Sequence, residues 1–202
     1  MKTRSLVMCI VVGTIVLFAW QAISNAAIPW HTKTEKTFTD TSVAAARALR
    51  AQMPTNGVYY SRYGVLAAVS MTADMHDQTK NMAPALARQL AIDVAVVWML
   101  VLLALRTRDP RTAVGYAGVA AFAGLAGALA IQLSDWNWYG FSFPYACVNI
   151  VDITIGFWIT GWVIGFMLLR EKRAAGVSVP TGAGYGASGV GASGVGAGER
   201  VR

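Results

Sequence analysis

Hydrophobic positions fall along this chain in four long runs, none of which alternates with a period of two. The first, "SLVMCIVVGTIVLFAWQAISNAA", extends from Ser5 to Ala27 and contains no charge. The second, "LAIDVAVVWMLVLLAL" at Leu90–Leu105, lengthens to a span over 84–106 if its helix begins near Asn81, with Pro84 in the first turn. The third covers 112–133 and is built from Ala and Gly, and the fourth, over 144–170, is rich in Ile, Trp and Phe. A helix needs about 20 mostly apolar residues to cross a bilayer, and all four runs meet that length. The absence of strand-like alternation argues against a membrane β-barrel. The predicted fold class is therefore mainly α: a four-transmembrane-helix bundle.

Between the first two runs, residues 29–83 have a different texture. "TDTSVAAARALRAQMP", Thr39 to Pro54, has a Ser/Thr/Asp start, an Ala-rich body and a Pro stop, the pattern of a short helix. Asn56-Gly57 is a turn signal, and β-prone stretches follow near Val58–Tyr60 and Val65–Ser70. The segment is expected to form a small extracytoplasmic α+β insertion, too small to fold alone and packed on the ends of the spans or on a partner. At the other end, residues 174–202 contain "GASGV" twice and almost nothing that can build a core, so a disordered Gly-rich tail is expected.

Lys and Arg set the orientation. Lys2 and Arg4 precede the first run, Arg106, Arg108 and Arg111 lie in the turn after the second, and Arg170, Lys172 and Arg173 close the fourth. The linker between the third and fourth runs contains none. The positive-inside rule then places both termini in the cytoplasm and residues 29–83 outside. A basic start, an apolar core and "SNAA" (Ser24–Ala27) also resemble a cleavable signal peptide. The apolar run is long for that role and "PWH" follows as an interfacial anchor, so the segment is read as a retained span over 1–28.

Composition sharpens this picture. The chain is 55% hydrophobic and 13% charged over 202 residues. A soluble domain of such composition would expose apolar patches that aggregate. Its formal charge of +7 is accounted for by the topology-setting clusters, with anionic headgroups as natural contacts, and no basic stripe interleaved with aromatics points to nucleic acid. Cys9 and Cys147 each lie within an apolar run, so no disulfide framework is expected. Only His31 and His76 are available, both outside the apolar runs, which removes a bis-histidine haem. Asp74, His76 and Asp77 in "DMHD", even with His31 added, fall short of a defined metal-ligand set. Ser, His and Asp are present without the local signature of a nucleophile system. No cofactor is expected.

Two carboxylates, Asp93 and Asp152, fall inside the runs, and an ionisable group at membrane depth is a functional hypothesis by default. Counted from the outer ends, both lie in the outer half of the bilayer. Asn149 precedes Asp152 by three residues on one helical face, and Gln132, Gln21 and Asn25 lie at similar depth. Asp93, Gln132, Asn149 and Asp152 are therefore a candidate polar pocket. The structural alternative pairs Asp93 with a snorkelling Arg88 and uses Asn149 and Gln132 to bridge helices. The stretch "DWNWYGF" in the linker 134–143 brings Trp136, Trp138, Tyr139 and Phe141 over this layer as a candidate aromatic lid, although anchoring at a bilayer surface also uses such residues. Ala117, Ala121, Gly124 and Ala128 with Gly161 and Gly165 form small-residue stripes suited to close helix packing, or to a homo-oligomer.

The combination "IPWHTKTEKTFTD", "MPTNGVYY" and "WNWYGF", followed by spaced Tyr, Asn and Asp and then "IGFW", resembles small uncharacterised bacterial inner-membrane proteins with four transmembrane helices. The resemblance spans most of Ala27 to Gly165. It implies four spans and an outer domain between the first two, and transfers no activity. The expected function is that of a non-enzymatic accessory or interaction protein of the bacterial cytoplasmic membrane, with membrane lipids and a protein partner or second copy as its contacts. The alternatives are a small transport or proton-linked protein working through its carboxylates, and a membrane enzyme acting on a lipid-soluble substrate.

Overall fold

A computed structural model describes residues 3–35, 39, 42–52, 58–60, 66–68, 83–107 and 112–176. Six helices occur among them: α1 Thr3–Ala26, α2 Trp30–Thr34, α3 Val43–Ala51, α4 Ala83–Arg106, α5 Ala113–Tyr139 and α6 Phe143–Ala174. Four of these, α1, α4, α5 and α6, are long and apolar enough to cross a membrane. Local chemistry explains their ends. Thr112 accepts from the Gly115 N–H at 3.1 Å and Ser142 from the Tyr145 N–H at 3.4 Å, each capping a helix start. Pro144 sits in the first turn of α6, where its missing N–H costs nothing.

The linker expected over 134–143 is mostly helix. Trp136, Trp138 and Tyr139 belong to the last turns of α5, and the stop comes at Gly140, whose φ of 71° is the left-handed conformation that glycine tolerates. The connection to α6 is Gly140-Phe141-Ser142. A polar, aromatic composition does not end a helix; a residue that releases its last carbonyls does.

Within the segment between α1 and α4, Ser42 caps α3 by accepting from the Ala45 N–H at 3.1 Å. Strand β1, Val58–Tyr60, pairs antiparallel with β2, Leu66–Ala68, in the register Val58 to Ala68, Tyr59 to Ala67 and Tyr60 to Leu66. The expected α+β insertion is not supported as a unit. Strands of three residues are too short to form a layer over a core, so the architecture of the described residues is mainly α, with one short ribbon at the stretches expected to be β-prone. The Gly-rich tail from 177 onward, and Asp74, His76 and Asp77, lie outside the described residues.

The four long helices run up and down. Gly13 of α1 lies level with Ile164 of α6, and Trp20 with Gly156, so these helices are antiparallel. Helix α6 packs most extensively on α5, then on α1, and α1 packs in turn on α4. Leu17, Val97, Leu100, Val101, Ile164, Leu168 and Leu169 form the core. The large apolar side chains that remain exposed point the other way: Phe122 is 74% exposed, and Ile15, Met99, Val114 and Ile131 are exposed too. Bulky apolar side chains covering the outside of a bundle of apolar helices is the pattern of a bundle solvated by lipid. Together with the spans, it makes this a multi-pass membrane protein.

The small-residue stripes work where α5 meets α6. A Cβ at Gly161 would press on Ala120 Cβ and stand 3.0 Å from the Tyr116 carbonyl oxygen, and one at Gly165 would meet the Tyr116 ring at 2.8 Å. Ala117, Gly124 and Ala128 are buried in that contact, while Ala121 is half-buried. The stripes serve packing within the bundle.

Candidate functional site

Helix α1 carries a polar band near its second end, one turn apart along one side: Trp20, Gln21 and Ser24. Each of the two intramembrane carboxylates meets this band separately. Asp93 is 1% exposed, and its Oδ1 accepts from Gln21 Nε2 at 3.1 Å and from Gln89 Nε2 at 2.9 Å. Gln89 Nε2 also donates to Gln21 Oε1 at 3.2 Å, which uses both its hydrogens. Asp93 Oδ2 has no partner among the described residues. An i, i+4 spacing puts Gln89 one turn from Asp93, whereas Arg88, the expected partner, forms no ion pair with it.

Asp152 is the centre of a second cluster. Its Oδ1 accepts from Trp20 Nε1 at 2.8 Å, and its Oδ2 lies 3.2 Å from His31 Nε2. His31 comes from α2, the short helix directly after α1, and is buried by this docking. Trp30 Nε1 donates to Ser24 Oγ at 3.1 Å, and Ser24 Oγ lies 3.3 Å from His31 Nε2. Trp30 also meets the Trp20 ring edge-on at 6.3 Å, so the two indoles brace α2 against α1.

This brings a Ser, a His and an Asp together, but not as a nucleophile system. A relay needs the serine and the carboxylate on different imidazole nitrogens. Ser24 and Asp152 both face Nε2 of His31, so no proton can pass from one to the other through the ring. The arrangement is a clasp. Among the described residues, no group of three or more His, Cys, Asp or Glu side chains is placed to hold a metal ion.

A cavity of about 620 Å³ opens between α1, α4 and α6 beside both clusters. Trp20, Gln21, Asn25, Gln89 and Asp152 line its polar side, and Leu17, Phe18, Leu86, Ile153 and Phe157 its apolar walls. Gly156 makes room in the wall for the Trp20 ring, since a Cβ there would stand 2.7 Å from it. Asp93 lies one hydrogen bond behind the wall, through Gln21 and Gln89.

Of the four predicted pocket residues, Asp152 lines the cavity and Asp93 lies behind its wall. Asn149 donates to the Tyr145 carbonyl of its own helix at 2.9 Å and does not reach Asp152. Gln132 is half-buried on α5, which contributes nothing to the cavity wall. Neither residue bridges helices. The predicted aromatic lid is elsewhere as well: Trp138 is 78% exposed, Trp136 packs on Phe143 and Phe141 on Tyr145, and none of the four lines the cavity. These residues sit where interfacial anchors sit. The parts outside the predicted pocket, Trp20, Ser24, Gln89 and His31, carried one readable signal. Trp20–Ser24 and Gln89–Asp93 are both i, i+4 pairs.

Below this layer, Thr14 and Thr160 are buried with hydroxyls that have no partner among the described residues. Each hydroxyl is desolvated without return, so Thr14→Val or Thr160→Val should leave stability unchanged or raise it by up to about 1 kcal/mol. Detergent-denaturation midpoints check this, and a loss of more than that amount would reveal a hidden partner.

Comparison of the chain with protein-family models, with curated proteins and with solved structures finds no match.

Proposed function

We propose that the protein is a non-enzymatic accessory protein of the bacterial cytoplasmic membrane that engages a lipid-like molecule through the cavity between α1, α4 and α6. The observation that carries this reading is the cavity itself. About 620 Å³ of space, apolar on most sides and polar at Trp20, Gln21, Asn25, Gln89 and Asp152, matches an amphipathic molecule with a small head group. Orientation is part of the proposal. Arg4, Arg106, Arg170, Lys172 and Arg173 cluster at the end opposite α2, which supports cytoplasmic termini and a cavity that faces the outer leaflet.

The transport alternative has less support, because Val97, Leu100, Val101, Ile164 and Leu168 pack tightly between the polar layer and the basic end. The enzyme alternative loses its proton relay at His31 Nε2.

The test is retention of an amphiphile by the full chain extracted in polymer-bounded lipid discs and washed into mild detergent. Native mass spectrometry should find close to one tightly held amphiphile per chain. Ala22 lines the cavity and is exposed to it, so Ala22→Trp should fill the space and release that molecule without disturbing either carboxylate cluster. Equal retention by the wild type and the variant would overturn the proposal.

A further inference from the structure

We infer that the cavity selects amphiphiles with a cationic, hydrogen-donating head group, a protonated amine in the simplest case; the inference rests on the lipid-binding reading above. Counting donors and acceptors leads to it. Gln89 Nε2 spends both hydrogens, on Gln21 Oε1 and Asp93 Oδ1. The indole N–H of Trp20 is spent on Asp152 and that of Trp30 on Ser24. Gln21 Nε2 and Asn25 Nδ2 each keep one hydrogen, but acceptor capacity in the wall is larger: the Gln89 and Asn25 carbonyl oxygens and the remaining lone pairs of the Asp152 carboxylate. A head group that only accepts finds few donors here. One that donates finds several acceptors.

Charge points the same way. Among the described residues, Asp152 is the only ionisable one lining the cavity, with Asp93 directly behind it and no Lys or Arg in the wall. His31 Nε2 lies 3.2 Å from one Asp152 oxygen, while the other oxygen accepts from Trp20 at the cavity wall. Carboxylates at membrane depth are costly without a countercharge, and a ligand ammonium supplies one. The indole of Trp20 and the ring of Phe157, both in the wall, add aromatic faces that attract a cation.

Binding of dodecylamine, dodecanol and dodecanoic acid to the full chain in lipid discs tests this, read by tryptophan fluorescence with Trp20→Phe as the reporter control. Dodecylamine should bind at least ~10-fold more tightly than dodecanol, and dodecanoic acid more weakly than either. Asp152→Asn should remove most of that preference while leaving the alcohol's affinity in place. Asp93→Asn, which keeps the same shape and the amide contacts, should lower it independently. Comparable affinity for amine and alcohol, or a preference for the acid, would overturn the cationic selectivity and leave the cavity reading standing. No binding of any of the three, with Ala22→Trp indistinguishable from wild type, would overturn both.

Discussion

Gly161→Leu should destabilise the bundle by about 3 kcal/mol, the upper end of what overpacking costs. The reason lies in what a side chain would strike. At Gly161 the nearest atoms are Ala120 Cβ, the Tyr116 carbonyl oxygen at 3.0 Å and Ala117 Cα at 3.2 Å. Two of these are backbone, so no rotamer change makes room, and α5 must move away from α6. That contact is the most extensive between any two helices here, and separating it forfeits dispersion along the whole Ala117, Gly124 and Ala128 stripe. Gly118→Ala is the matched control: a Cβ there meets nothing within 4 Å, and alanine favours helix, so stability should hold or rise slightly. Ala120→Gly in the Gly161→Ala background should recover part of the smaller loss by removing the closest clash. Denaturation in mixed detergent micelles measures all four. A Gly161→Leu protein as stable as wild type would mean that α5 and α6 do not pack through this stripe.

These expectations rest on the part of the structure most legible from sequence. A span must be apolar and continuous for about 20 residues, so four such runs announce four helices without any knowledge of their neighbours. Where α5 ends was not legible in the same way. Ser134 to Tyr139 are polar and aromatic, a composition that suits an interface equally as loop or as helix, and only Gly140 marks the stop. The small-residue pattern identified the α5–α6 seam because close approach requires the absence of side chains.

The site was legible by depth and not by direction. Asp93 and Asp152 stand out because a charge in a span is expensive, and Gln21 and Asn25 lie at the same depth. Depth alone assigned Gln132 and Asn149 to the same layer, yet Asn149 turns back on its own helix and Gln132 lies on α5, away from the cavity. Which face a residue presents depends on how helices are arranged about one another, and a single sequence does not encode that in any local pattern. The tight return of α2 onto α1, which makes His31 and Trp30 part of the site, is a tertiary event of the same kind.

Among the contacts of that return, the one between His31 and Asp152 should weigh most. His31→Leu is expected to destabilise the protein by about 2–3 kcal/mol, because it removes one partner of a buried polar pair and strands the other. Asp152 Oδ2 loses the Nε2 that lies 3.2 Å away, while Oδ1 keeps Trp20. Ser24 Oγ loses the same Nε2 at 3.3 Å but keeps the Trp30 indole, so Asp152 Oδ2 is the group left stranded. Replacing the carboxylate as well removes the stranded group, so the double variant His31→Leu/Asp152→Leu should be more stable than His31→Leu alone. The coupling in that double-mutant cycle should be about 2 kcal/mol. Limited proteolysis supplies the local readout: with α2 released, cleavage within 29–42 should accelerate in His31→Leu while α4 to α6 stay protected. Additive effects of the two substitutions, with the α2 region equally resistant in both proteins, would mean that His31 and Asp152 do not hold α2 to the bundle, and the clasp that closes one side of the cavity would have to be sought in Trp30 and Ser24 instead.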